Sequence, residues 1–282
     1  MFNQLSQFAS EEGPHISLKA ETLFHIGGIN ITNSLLYGVV VAITLAIIGS
    51  IASKRVGIKP AGVLTTVFEM ALEFMINMLE GIFNDHKKAV KYAPIFGTFF
   101  IFIFFNNVAG LFPLVGEGVT LNGSPIFRPF TADLNGTIAL SVIAILIVQY
   151  FSIKESGFLG HLKHYFTDKP LNPINLFIGI LEVFGELTRI TSLSLRLFLN
   201  TAVGEILVAV FAYVGSYGAS FTLLPIVLFE VLVAGIQAYV FTVLSATYLG
   251  LAIAHSDPEH ETTDAPTMSD PEILIAREVH PS

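Results

Sequence analysis

Five apolar stretches of this chain run for about 20 residues or more, the length a helix needs to cross a hydrocarbon core about 30 Å thick. They are Ile26–Ser53, Tyr92–Gly116, Leu134–Ile153, the region from Pro170 and Pro173 to Val214, and Phe221–His255. Only the last two are interrupted by charge, at Glu182, Glu186, Arg189, Arg196 and Glu205 and at Glu230. In lipid every backbone polar group has to be satisfied inside its own segment, so such stretches fold as helices. Composition agrees. Hydrophobic residues make up 53% of the 282 and charged ones only 13%, half of the roughly 25% usual in soluble domains. The expected fold is an all-α membrane protein with five membrane-crossing elements.

Ala61–Val90, between the first two stretches, has a different pattern. Glu69, Glu73 and Glu80 alternate with Phe68, Leu72, Met75, Ile76 and Leu79, and Asp85, Lys87 and Lys88 close the segment. That predicts an amphipathic helix lying at the membrane surface. With five crossings, Lys54, Arg55, Lys59, Lys87, Lys88, Lys91, Lys154, Lys163 and Lys169 all fall on one side, and only Lys19 and Arg128 on the other. The positive side faces the cytoplasm or its equivalent. Residues 1–25 then form an extension outside, 26–255 a single membrane domain, and 256–282 an acidic, Pro-containing tail inside that is expected to be disordered. The first 30 residues show no basic start followed by an apolar run and a cleavage site, so no removable signal peptide is expected. The formal charge of -8 owes much to that tail and gives no reason to expect nucleic-acid binding. With no cysteine, disulfides, thiolate metal sites and Cys nucleophiles are excluded.

The last two elements are too long to stand upright. At about 1.5 Å per residue they would span roughly 64 and 52 Å, against a core of about 30 Å. No proline interrupts Ile174–Leu224, which favours two strongly tilted helices forming an antiparallel hairpin over two broken ones.

Ionisable residues inside spans are rare and point first to function. Arg189 has Glu186 three residues back and Glu182 seven back, both near its own face, so pairing within the helix competes evenly with a functional role. Arg196 has Ser192, Leu193, Leu199 and Asn200 at its helical neighbour positions and no carboxylate among them. Glu186 and Glu205 lie well round the helix, and Glu182 is roughly 21 Å along the axis. An unpartnered Arg at that depth costs from about 3 to more than 10 kcal/mol, so it needs a carboxylate elsewhere or water. A guanidinium also never gives up its proton, so it can attract carboxylates and block protons without relaying them.

On the last element Glu230 and Gln237 are seven residues apart and share a stripe, with Tyr248 close to it. A polar seam joining two helices accounts for Gln237 and Tyr248 almost as well as a wet proton path does. It accounts poorly for Glu230, because a lone carboxylate at that depth is a proton-exchanging group. Asn106, Asn107, Gly110 and Pro113 lie toward the outer end of the second span, and Asp133 and Asn135 open the third. These either line an outer water entry or cap helices. Three other classes fit less well. A secondary transporter would show internal repeats with broken helices. An intramembrane hydrolase would need a Ser–His pair at depth, whereas His161, His164 and His255 lie in a loop or at a span end. A structural anchor leaves the cost of Arg196 unexplained.

Four motifs in register carry a resemblance. SLSLRLFLNTAVGEI (Ser192–Ile206), IQAYVFTVLSATYLGLA (Ile236–Ala252), NNVAGLFPL and PFTADLN resemble the F-type ATP synthase a subunit family over residues 25–255. The resemblance implies a proton-channel subunit of the Fo sector, with two half-channels, acting on the rotating c-ring and held by peripheral-stalk b subunits and, indirectly, the F1 sector. Arg196 would be the essential arginine facing the ring carboxylates, and Asn200 and Gln237 its polar neighbours. Glu205 and Glu230 match a half-channel pair, while Glu182 and Arg189 match positions implicated in proton access. Tyr248 joins this group, and Asn107, Asp133 and Asn135 are candidates for the outer half-channel. The resemblance implies no cofactor, no metal and no ATP site in this chain, which lacks a G-x-x-x-x-G-K-[ST] loop. The long N-terminal and acidic C-terminal extensions point to a bacterial inner membrane, with a mitochondrial one as the alternative. Leu199 stands where the family usually has Gly, and both Glu205 and Glu230 are acids where many relatives pair one acid with a histidine.

Overall fold

A computed structural model describes residues 22–26, 29–55, 62–111, 120–121, 124–125, 127–157, 173–215 and 219–254. Pro113 and Gly116, the loop holding His161, His164, Lys163 and Lys169, the Ser216–Gly218 turn, His255 and the acidic tail lie outside them. Six long helices dominate: α1 (Asn33–Arg55), α2 (Val63–Phe83), α3 (His86–Gly110), α4 (Leu134–Ser156), α5 (Pro173–Gly215) and α6 (Ala219–Ala254). All but α2 are long and apolar enough to cross a membrane, so the five-span expectation holds.

Boundaries shift for local reasons. The first span begins at Asn33 rather than Ile26, because Thr22–Ile26 (β1) and Ile29–Thr32 (β2) pair as an antiparallel hairpin before it. The segment expected as one amphipathic helix over Ala61–Val90 divides in two. α2 stops at Phe83, Asn84 takes a left-handed conformation (φ 51°), and the Asp85 side chain accepts from the backbone N–H of Lys87 (2.8 Å) and of Lys88 (3.4 Å) to start α3. Asn tolerates that conformation and Asp is a favoured N-cap. The amphipathic pattern of α2 is as expected: Met75 and Leu79 are buried while Glu69 and Glu73 are exposed. A second short hairpin pairs Thr120–Leu121 (β3) with Ser124–Pro125 (β4).

One core joins five helices, with Leu79 its member from α2. Phe96, Phe99 and Ile103 of α3, Ala144, Ile145 and Val148 of α4, Leu193 and Leu197 of α5, and Ala238, Phe241, Ala246 and Leu249 of α6 are packed together. The alanines matter because lipid gives no hydrophobic drive between helices, so small residues that allow close approach supply the packing. Where the start of α3 meets the end of α4, Glu155 accepts a hydrogen bond from Tyr92 at 2.6 Å and pairs with Lys91.

The segment Phe127–Asp133, with a short 3-10 turn at Phe130–Ala132, sits in a socket of glycines. A Cβ at Gly38 of α1 would lie 2.7 Å from the Phe130 ring, one at Gly136 of α4 2.8 Å from the Phe130 carbonyl oxygen, and one at Gly110 of α3 2.5 Å from Pro129. Three helices thus give up side chains to seat two residues.

Gly136→Ala should lower stability by about 1–3 kcal/mol, since backbone has to move, whereas Gly49→Ala, with nothing within 4 Å of its Cβ, should leave it unchanged or raise it by up to about 1 kcal/mol. Thermal midpoints of the two variants in detergent decide this.

Candidate functional site

α5 and α6 run unbroken for 43 and 36 residues, although Pro225 falls in the second turn of α6. Two contacts fix their relative direction. The Arg189 guanidinium lies 4.9 Å from the centre of the Tyr248 ring, and Gly204 faces the Glu230 carboxylate. Moving up α5 from 189 to 204 moves down α6 from 248 to 230, so the pair is antiparallel as expected. Both helices exceed about 30 Å at about 1.5 Å per residue, so they must tilt in a bilayer.

Arg196 sits between these contacts. Leu193 and Leu197, on either side of it in sequence, are buried in the core. Arg196 itself shares a stripe with Ser192, Leu199 and Val203, which are exposed, Leu199 by 53% and Val203 by 50%. Its Nη2 donates to Ser192 Oγ at a long 3.5 Å. Among the described residues no carboxylate comes within ion-pair distance of it. The side chain is a fixed cation on an outward-facing, largely apolar stripe.

Outside this level lies a polar group drawn from four elements. Glu230 is 8% exposed and packs directly on the backbone of Gly204; a Cβ there would lie 2.9 Å from the Glu230 carboxyl carbon. A side chain at 204 would make the Glu230 carboxylate swing aside. Glu205, the next residue, has Arg128 Nη2 at 3.6 Å from its Oε2. Asn107 Oδ1 accepts from Thr131 Oγ1 at 2.6 Å and from Thr201 Oγ1 at 3.4 Å. Asp133 caps α4 through Asn135 N–H at 3.0 Å and also accepts from Ser34 Oγ at 2.7 Å. Of the two readings open for Asp133, capping is what its bonds show, while the side chain of Asn135 is exposed.

Gln237 is buried and its Nε2 has no hydrogen-bond partner among the described residues, as is true of Asn107 Nδ2 and Arg128 Nη2. Each such atom in a dry interior is costly, and roomy polar sites recover that cost by binding water. Interpolating between the two α5–α6 contacts puts Gln237 level with about residue 198 of α5. Asn200 is half-buried one turn beyond Arg196. On the other side of Arg196, Glu182, Glu186 and Arg189 are half-buried along α5. The Arg189 guanidinium faces the Tyr248 ring of α6. Arg196 thus separates two polar zones, about 10 Å from Arg189 and about 13 Å from Glu205 along the axis.

Sequence reasoning passed over Arg128, Thr131, Thr201 and Gly204. The signal for Arg128 was present, since the expected topology leaves it as the one basic residue between 26 and 255 that falls opposite the basic side. Nothing in the sequence alone marks Thr201 or Gly204, which depend on which faces meet. A separate recess of about 340 Å³ between α2 and α6, lined by Phe74, Asn77, Met78 and Tyr239, holds none of the residues named above.

A family model described as ATP synthase A chain matches residues 34–250. The ATP synthase subunit a of Moorella thermoacetica is 34% identical over 227 residues, covering 80% of this chain and 93% of that protein. The ATP synthase subunit a 2 of a Bradyrhizobium species is 31% identical over 238 residues, covering 84% and 95%. The ATP synthase subunit a of Streptococcus pyogenes is 32% identical over 239 residues, covering 80% and 94%.

Tyr248→Phe keeps the ring under Arg189 and should leave the thermal midpoint in place. Tyr248→Leu should cost about 0.5–2 kcal/mol of stability, read as a lower midpoint in the same detergent.

Proposed function

We propose a function from one premise: this chain belongs to the ATP synthase A chain family. It is a multi-pass integral membrane protein of the proton-translocating part of that complex. In our reading it is the stator subunit that passes protons to and from carboxylates on a rotating c-ring. The observation that carries this is Arg196, an intramembrane cation on an exposed stripe with no carboxylate at ion-pair distance among the described residues. Such a charge is supplied with its counter-ion by a neighbour, and a ring of carboxylates is the counter-ion that a rotary mechanism offers.

The outer zone, with Glu205, Glu230, Asn107 and the capped Asp133 and Asn135, is the half-channel open to the outside. The inner zone, with Glu182, Arg189 and Tyr248, is the half-channel open to the cytoplasm. A proton enters through the outer zone, neutralises a ring carboxylate and lets it turn into lipid. After nearly a full turn the carboxylate meets the inner zone and releases the proton. Arg196 attracts the ionised carboxylate between the two, with Asn200 and Gln237 as polar neighbours, and because it does not give up its proton no proton passes straight across. One charge crossing 100 mV releases about 2.3 kcal/mol, so rotation has to sum several per ATP. ATP chemistry belongs to the F1 sector, and b subunits of the peripheral stalk hold this chain against the ring's torque. Bacterial relatives favour a bacterial inner membrane.

Arg196→Ala should abolish proton-driven ATP synthesis while the complex still assembles, measured in membrane vesicles energised by an imposed gradient; normal coupled synthesis would sink this reading. Glu230→Gln should slow ATP-driven proton pumping by about tenfold or more with less effect on assembly, and unaltered flux would remove Glu230 from the path.

A further inference from the structure

Arg128 has no place in the mechanism above, yet it is 5% exposed and carries a permanent charge. It does not reach the interior to anchor its own loop. Pro129 and Phe130 already fill the glycine socket, Thr131 donates to Asn107, and Asp133 accepts from Ser34. A buried cation adds cost to a segment otherwise held by packing and neutral donors. The side chain runs instead to α5, where Nη2 stands 3.6 Å from Glu205 Oε2.

That distance is informative. Charge-assisted N–H···O bonds close at about 2.7–2.9 Å, and a forked pair at that range would lock the carboxylate in its ionised form. At 3.6 Å the two groups attract without a hydrogen bond, so this guanidinium nitrogen holds the carboxylate by charge and does not occupy Oε2 with a donated proton. The other charged or polar groups nearby are committed elsewhere or lie across the helix pair. Asp133 has Ser34 and the Asn135 N–H, Asn107 has Thr131 and Thr201, and Glu230 lies against Gly204.

We propose that Arg128 is a positioning residue for proton uptake, holding Glu205 at the outer zone through a loose charge contact from the loop before α4. This rests on Glu205 being a half-channel carboxylate. The test uses the assembled complex in inverted membrane vesicles, reading ATP-driven proton pumping together with the amount of complex recovered. Arg128→Gln should lower pumping about tenfold at normal recovery, as expected when one partner of a buried charge pair is removed. Arg128→Lys should keep about half or more of the pumping, since it restores the charge at similar reach. Adding Arg128→Gln to Glu205→Gln should bring no further loss beyond Glu205→Gln alone. Undiminished pumping in Arg128→Gln would overturn the proposal, as would Arg128→Lys failing as badly as Arg128→Gln, or a double variant whose losses multiply. Loss of the complex in Arg128→Gln would make the residue structural and also overturn it. Normal pumping by Glu205→Gln would remove the premise about Glu205, an outcome separate from the Arg196→Ala result that tests the function itself.

Discussion

The antiparallel packing of α6 on α5 is the contact on which the remaining arrangement depends. It is made by leucines, alanines and Phe241, with Gly204 allowing a carboxylate to press against the backbone. Because lipid offers no hydrophobic drive between helices, close approach and satisfied polar groups have to supply the association. The register that results does three things together. It brings Glu230 against Gly204, sets Tyr248 under Arg189, and carries Arg196 on a stripe whose members Ser192, Leu199 and Val203 are exposed.

Polar atoms are unevenly distributed around that pair. The outer zone gathers two carboxylates, a guanidinium, an asparagine and two threonines from α3, α5, α6 and the loop before α4. Several of its nitrogens lack partners among the described residues. An apolar core of equal volume would be simpler to build and cheaper to bury. Retaining so many polar groups at membrane depth is understandable if water and protons occupy the space between them.

Much of this was legible in the sequence, and the parts that were not share a cause. Length and lack of charge are local properties, so the spans and the long hairpin could be read directly. The isolation of Arg196 could also be read, because helical neighbours at three and four residues are fixed by the α-helix itself. Where the first span begins could not, since Ile26 and Ile29–Thr32 are as apolar as a helix start yet pair with each other as strands. The division of Ala61–Val90 rested on Asn84 and Asp85, two turn-forming residues inside an otherwise periodic pattern. The partners of Glu205 and Arg189 lie 77 and 59 residues away in sequence, at Arg128 and Tyr248. Contacts of that kind follow from which faces meet, and a helical wheel drawn for one helix carries no information about them.

The contact between Gly204 and Glu230 ties the two positions together as a matter of volume. A methyl group added at 204 meets the end of the Glu230 side chain, so the carboxylate has to swing aside or be shortened, as Asp in place of Glu would be. The space between the helices is therefore a shared quantity, divided between one helix that gives up its side chain and another that spends the room on a carboxylate. A change at 204 alone would be felt first at the position of the Glu230 carboxylate, on the same helix pair that carries Arg196.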